Sequence, residues 1–82
     1  MIASPSPPIA DIHIDLSGLH CPLPILRAKK ALADVPSGTV LQISCTDPAA
    51  PADFTAFCAQ TGHQLLHYQQ TAQQHLFWIA KR

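Results

Sequence analysis

The sequence predicts an α/β (α+β) two-layer sandwich, in which a four-stranded mixed sheet carries two helices on one face. Three observations predict this fold. Four segments alternate apolar and polar residues as half-buried strands do, and two others have the three- and four-residue apolar spacing of amphipathic helices. Their order along the chain is β-α-β-α-β-β. Because 82 residues are too few for two separate cores, we expect a single domain.

The chain starts with the proline-rich stretch MIASPSPPIA, which we interpret as a flexible tail of residues 1–10 before a domain of residues 11–82. This stretch lacks the basic start and the apolar run of a signal peptide, and no membrane span is visible. The three cysteines form no C-x-x-C pair and suggest neither a disulfide framework nor a zinc site. We therefore expect a cytoplasmic protein with reduced thiols, no metal and no cofactor.

The first strand is predicted in DIHIDL, where Ile12, Ile14 and Leu16 alternate with polar neighbours. The first helix is predicted from Pro22 to about Val35, and PSG at 36–38 ends it. The apolar stripe of this helix comprises Ile25, Ala28, Leu32 and Val35.

The second strand is predicted in TVLQISCT, with Leu41, Ile43 and Cys45 on one side. In the second helix, Pro51 suits the first turn and Gly62 suits the C-cap position. Its buried stripe comprises Phe54, Phe57 and Cys58.

The segments HQLLHYQQ and HLFWIAK predict a β-hairpin whose turn lies near Ala72 and Gln73. A right-handed crossover through the first helix makes the first two strands parallel, and the hairpin makes the last two antiparallel.

Cys21 lies at or just before the start of the first helix, in the stretch GLHCPLP. The positive end of a helix favours a thiolate, but the two prolines lack N–H groups, so Leu23 is the chief backbone donor available. We therefore predict a modestly lowered pKa for the thiol. Because proline disfavours helical angles in the residue before it, the segment 21–23 is predicted to be extended. The residues alone favour neither an exposed reactive thiol nor a small buried apolar residue.

The stretch DLSGLHCPLPILRAKKAL resembles the signature of the TusA (SirA-like) family of sulfur-carrier proteins, a Gly-Leu-x-Cys-Pro-x-Pro motif that opens the first helix. The resemblance continues through TDPAAPADFTAFCAQTGHQLL and covers nearly all of the chain from Asp15 to Lys81. The family has a two-layer α/β sandwich fold, which agrees with the patterns above.

The resemblance implies a sulfurtransferase activity in which Cys21 carries sulfane sulfur as a persulfide. The donor would be a cysteine desulfurase or a rhodanese-like protein, and the receiver an acceptor protein with a reactive cysteine. The destinations found in the family are tRNA 2-thiolation, molybdenum-cofactor maturation and sulfur oxidation. By the same resemblance, Gly18, Pro22 and Pro24 would position the thiol.

Three of the five basic residues follow Cys21 closely. They form a solvated helix face by default, but their clustering makes them candidates for docking an acidic partner. The formal charge of zero disfavours direct nucleic-acid binding, and we expect a monomer that does not bind membranes. Two alternatives remain open, a non-catalytic interaction or regulatory module and a thiol redox sensor. The candidate docking residues are Arg27, Lys29 and Lys30.

Five further residues are interpreted on sequence grounds. Asp47 is interpreted as a turn or helix-capping residue, and Thr46 stands where the family often has the first of two acidic residues. His20 is interpreted by default as a surface residue, with tuning of the Cys21 thiol as the alternative, and Cys45 and Cys58 are interpreted as core residues.

Overall fold

The computed structural model describes residues 7–82 and confirms the predicted fold class and element order. Residues 1–6 of the predicted tail lie outside the described residues, and residues 7–10 form neither helix nor strand. The elements are β1 (Ile12–Asp15), α1 (Leu23–Ala33), β2 (Val40–Cys45), α2 (Ala50–Thr61), β3 (Gln64–Gln70) and β4 (His75–Ala80).

The four strands form one mixed sheet in the order β1-β2-β4-β3. β1 pairs with β2 in parallel, with Ile14 opposite Ile43, and α1 makes the crossover between them. β4 is antiparallel to both β2 and β3, and a bulge between Leu65 and His67 interrupts its register with β3. The predicted parallel pair and the predicted hairpin are therefore both present, and β4 occupies a central position.

Both helices pack on the same face of the sheet, where the alternating apolar residues of the strands meet the helical stripes. Phe54 of α2 is at the centre of this core, with its ring centroid 4.7 Å from that of Phe77 and 6.4 Å from that of Phe57. The predicted buried residues of β2 and α2 all belong to the core, as do Ala28 and Leu32 of α1. Ile25 and Val35 are half-buried against it.

The opposite face of the sheet carries one large aromatic residue that is buried. Trp78 of β4 lies between Gln42 of β2 and His67 of β3, and the Trp78 and His67 rings meet edge-on at 5.0 Å. The tryptophan side chain is only 4% exposed although it does not belong to the main core.

The helix ends depart slightly from the predicted bounds. α1 begins at Leu23, with Pro22 as its N-cap residue, and ends at Ala33 rather than near Val35. α2 ends as predicted at Gly62, which has a φ of 84° and donates its N–H to the Cys58 carbonyl at 3.0 Å. Gly62 is therefore a left-handed C-cap.

Candidate functional site

The loop that carries Cys21 lies at one edge of the sheet. Because β1 and β2 are parallel, both end at this edge, and both helices begin there. The β3–β4 turn reaches the same edge, where the Gln74 side-chain amide donates to the Ser17 hydroxyl at 3.0 Å. Cys21 is exposed, which favours the first of the two interpretations that the residues alone leave open.

The Cys21 loop is joined to the end of β2 by three hydrogen bonds. The Leu16 N–H donates to the Ser44 carbonyl at 2.8 Å, as in a continuing parallel ladder. The next two acceptors are side chains. The Gly18 N–H donates to the Thr46 hydroxyl oxygen at 2.9 Å, and the Cys21 N–H donates to an Asp47 carboxylate oxygen at 2.6 Å.

Asp47 is the one buried charged residue in the described part of the chain, with 8% of its surface exposed. Its second carboxylate oxygen accepts the Ala49 N–H at 3.1 Å, and its carbonyl accepts the Ala50 N–H at 3.0 Å. The N–H donors of Ala49 and Cys21 lower the pKa of Asp47, and the nearby His20 and His75 act in the same direction. Asp47 thus caps its own turn, as predicted, and also holds Cys21.

The segment 21–23 is not extended, and that prediction was wrong. The Leu23 N–H donates to the His20 carbonyl at 2.9 Å, which closes a tight turn, and the Leu26 N–H donates to the Pro22 carbonyl. The Cys21–Pro22 peptide bond is cis. These hydrogen bonds outweigh the preference of Leu23, as the residue before a proline, for extended angles.

The prediction of a lowered thiol pKa was also wrong. The Leu23 N–H, the expected donor to the sulfur, is used in the turn. Asp53, in the first turn of α2, acts on the thiol instead. The hydrogen bond to Asp53, partial desolvation and the negative charges of Asp53 and Asp47 raise the pKa of Cys21, because they all favour the neutral thiol.

Two of the three predicted positioning residues lie in the Cys21 loop, and the third lies in the first turn of α1. Gly18 has a φ of 83°, and no atom lies within 4 Å of the place where a Cβ would stand, so the backbone conformation alone favours glycine there. Pro22 is exposed beside Cys21, whereas Pro24 is buried.

The three candidate docking residues Arg27, Lys29 and Lys30 are all exposed on α1. Two large apolar side chains of α1, Leu23 and Leu26, are also exposed, at 45% and 54%. Leu23 is four residues before Arg27 and Leu26 is four residues before Lys30, so each leucine lies on the same side of the helix as a basic residue. The exposed surface next to Cys21 is therefore both apolar and basic.

The other two cysteines are buried, as predicted, and all three are free thiols. Burial, with smaller contributions from Asp47 and Asp15, raises the pKa of Cys45 to about 11, and burial raises the pKa of Cys58 as well. Cys21 is thus the accessible thiol of the described chain. His20 is exposed, and its effect at the site is on Asp47.

Sequence reasoning gave no site role to Thr46, Asp47 or Asp53. The first two are 28 and 26 positions from their hydrogen-bonding partners in the Cys21 loop. The available signal was the parallel pairing of β1 and β2, which brings the residues that follow both strands to the same edge of the sheet.

Fold and site together define a small α/β protein that presents one accessible cysteine at the edge of its sheet. Residues 7–82 enclose no pocket, and no three of their His, Cys or acidic side chains are grouped so as to hold a metal ion. Neither described helix has the length and apolar character needed to cross a membrane.

Comparison with known proteins agrees with this class. Residues 12–81 match the family described as Sulfurtransferase TusA, so the chain belongs to the TusA family, and it is a sulfur carrier in the general sense that this family defines. It is 48% identical over 71 residues to the sulfur carrier protein TusA of Allochromatium vinosum, covering 87% of this chain and 93% of that protein.

Two further relatives show the same relationship. The sulfur carrier protein TusA of Pseudomonas entomophila is 38% identical over 74 residues, which cover 90% of this chain and 92% of that protein. The crystal structure of a SirA-like protein from Desulfitobacterium hafniense superposes with a TM-score of 0.74 at 28% identity, covering 84% of this chain and 95% of that one.

Proposed function

We propose that this protein is a sulfurtransferase that accepts sulfane sulfur on Cys21 and delivers it to a cysteine of an acceptor protein. The observation that carries the proposal is that Cys21 is exposed, whereas the other two cysteines are buried, in a chain of the TusA family. In the loading step the Cys21 thiolate attacks the outer sulfur of a donor persulfide. A new S–S bond forms on Cys21, the donor S–S bond breaks, and the donor cysteine leaves as a thiolate.

Unloading repeats the same exchange in the opposite sense. The thiolate of the acceptor protein attacks the outer sulfur of the Cys21 persulfide, and Cys21 leaves as a thiolate, so no oxidant or reductant is consumed. One cysteine is sufficient, because each partner supplies the second sulfur. The donor would be a cysteine desulfurase or a rhodanese-like protein in the cytoplasm. The sulfur would reach tRNA 2-thiolation, molybdenum-cofactor maturation or sulfur oxidation through protein partners.

The surface beside Cys21 supports protein partners of a particular kind. The exposed leucines of α1 offer apolar area, and the basic residues next to them favour an acidic surface on the partner. We infer that donor and acceptor proteins dock on this part of α1, with Arg27, Lys29 and Lys30 contributing mainly to the rate of association.

The raised pKa of Cys21 bears on the carrier and on the redox-sensor alternative alike, because the thiolate is the form that attacks a persulfide and the form that oxidants attack. The hydrogen bond to Asp53 and the nearby carboxylates disfavour the Cys21 thiolate in the free protein. The alternative of a non-catalytic interaction module is separated from a carrier by the following experiment.

The test is to incubate the protein with cysteine and a cysteine desulfurase and to record its mass. We expect an adduct of one sulfur atom on the wild type and on the Cys45→Ala and Cys58→Ala variants, and none on Cys21→Ser. Alanine is chosen at the two buried positions because a serine hydroxyl there would lack a partner. A wild-type protein that remains unmodified while the desulfurase turns over would contradict the proposal.

A further inference from the structure

The Cys21 loop remains attached to β2 beyond the point where backbone pairing stops. The last backbone bond of this ladder joins Leu16 to Ser44, and the Thr46 and Asp47 side chains then accept the N–H groups of Gly18 and Cys21. Side-chain oxygens therefore replace backbone carbonyls as acceptors where the two chain segments diverge.

The two acceptors are held on a rigid support. Thr46 and Asp47 directly follow β2, a central strand whose Leu41, Ile43 and Cys45 are completely buried. The Asp47 carboxylate is oriented further by the Ala49 N–H. Because the Asp47 carboxylate is itself held in place, the Cys21 N–H that it accepts is held at a defined position relative to β2.

Few other hydrogen bonds fix the loop. Its remaining described hydrogen bonds are mostly local, such as Leu19 to Leu16 and Leu23 to His20, and do not join it to the sheet. One more long-range bond reaches the exposed Ser17 from the half-buried Gln74. The bonds to Thr46 and Asp47 are therefore the ones that relate the backbone around Cys21 to β2.

We propose that Thr46 and Asp47 are positioning residues for sulfur transfer, which hold the Gly18–Cys21 loop against the end of β2 and so fix the thiol in the place where partners meet it. This inference rests on the proposed function of Cys21. A fixed thiol limits the entropy lost when a partner docks, because the reacting sulfur is already oriented.

The two contacts differ in chemistry, and so do the expected effects. The bond from the Cys21 N–H to the carboxylate is charge-assisted and short, whereas the bond to the Thr46 hydroxyl is neutral. Removing the Asp47 acceptor should therefore slow loading by about tenfold or more, and removing the Thr46 acceptor should slow it by a smaller factor. Thr46→Ser retains the hydroxyl oxygen that accepts the Gly18 N–H, so this variant should load at the wild-type rate.

The experiment combines loading rates with backbone amide measurements on the full chain. Thr46→Val, Thr46→Ser, Asp47→Asn and Asp47→Ala are compared with the wild type for the rate of Cys21 persulfide formation by a cysteine desulfurase. Amide hydrogen exchange at Gly18 and Cys21 is recorded by NMR. Thr55→Val, whose hydroxyl bonds to Pro51 within α2, and Asp34→Asn, at the far end of α1, are the matched controls.

We expect faster exchange at Gly18 in Thr46→Val and at Cys21 in Asp47→Ala, each accompanied by slower loading. The effects of Asp47→Asn should be smaller, because its amide oxygen can still accept the Cys21 N–H. In the wild type, the Cys21 amide proton shift should follow the titration of the Asp47 carboxyl, which reports the contact between the two groups directly. Faster exchange with unchanged loading would overturn the positioning role, and so would unchanged exchange.

Failure of the underlying function gives a different result. A wild-type protein that forms no persulfide would reject the proposed function, and the transfer role of Thr46 and Asp47 with it. The exchange data would then still report whether the two side chains hold the loop.

Discussion

Two opposing electrostatic influences act on Cys21. The start of α1 favours a thiolate, whereas Asp47 and Asp53 favour the neutral thiol. The carboxylates prevail because the Leu23 N–H, which could have stabilised the sulfur, closes the turn to His20. A helix terminus lowers a thiol pKa only if its donors are free to face the sulfur.

Replacing Asp53 should therefore increase the reactivity of Cys21. Asp53→Asn removes a negative charge and replaces a carboxylate acceptor by a neutral, weaker amide acceptor, so the thiolate is favoured and the pKa of Cys21 falls. At pH 7 the thiolate fraction rises, and iodoacetamide alkylation should become several-fold faster. The measurement is the alkylation rate as a function of pH, in a background where Cys45 and Cys58 are alanine.

Asp34→Asn controls for the change in net charge, because Asp34 lies at the opposite end of α1. Its alkylation profile should coincide with that of the wild type. If Asp53→Asn shifts the profile to higher pH, or leaves it in place, Asp53 does not hold the thiol neutral.

The sequence was sufficient to single out Cys21 as the candidate residue but not to predict its surroundings. The motif around the cysteine is local, so it can be recognised without knowledge of the fold. The contacts of Thr46 and Asp47 join positions more than 25 residues apart, and they depend on the register between β1 and β2. The register between two strands depends on how their side chains pack in the folded protein, and this packing is difficult to predict from a single sequence.

At the scale of elements, the periodic patterns predicted every helix and strand because each packs one apolar face on a common core. The error fell at the start of α1, where a local rule about residues before proline was overridden by a turn hydrogen bond between Leu23 and His20. The pairing of β4 between β2 and β3 was not predicted, since alternation places a residue on a face but does not order the strands.

The C-cap of α2 gives a prediction at this scale. Gly62 has a left-handed conformation, and a Cβ there would lie 2.7 Å from the Arg82 Cδ. Gly62→Ala should lower the free energy of unfolding by about 1–2 kcal/mol, mostly through backbone strain, because the exposed arginine side chain can move. Urea denaturation measures this difference.

Gly38→Ala is a matched control, because Gly38 has a φ of 88° and open space around the Cβ position. It isolates the conformational strain from the contact with Arg82. A Gly62→Ala loss much larger than the Gly38→Ala loss would show that Arg82 cannot yield, contrary to the expectation.

At the scale of the whole molecule, stability depends on one core between the helices and the sheet. Phe54 is fully buried at its centre, so Phe54→Ala should lower the free energy of unfolding by about 3–5 kcal/mol through lost burial and a cavity. Chemical denaturation followed by circular dichroism measures the loss. Leu26→Ala, at a side chain that is 54% exposed, should change the free energy by about 0.5 kcal/mol or less. Equal losses of unfolding free energy in the Phe54→Ala and Leu26→Ala variants would contradict the placement of Phe54 at the centre of the core.

The hydrogen bond between Cys21 and Asp47 has a consequence for how the protein is made. Cys21 leaves the ribosome 26 residues ahead of Asp47, and α2, which carries Asp53, follows later still. For that interval the nascent chain bears a solvent-exposed thiol whose surroundings are not yet assembled. The first half of the chain carries the sulfur atom, but only translation of the second half gives that atom its orientation and its protonation state.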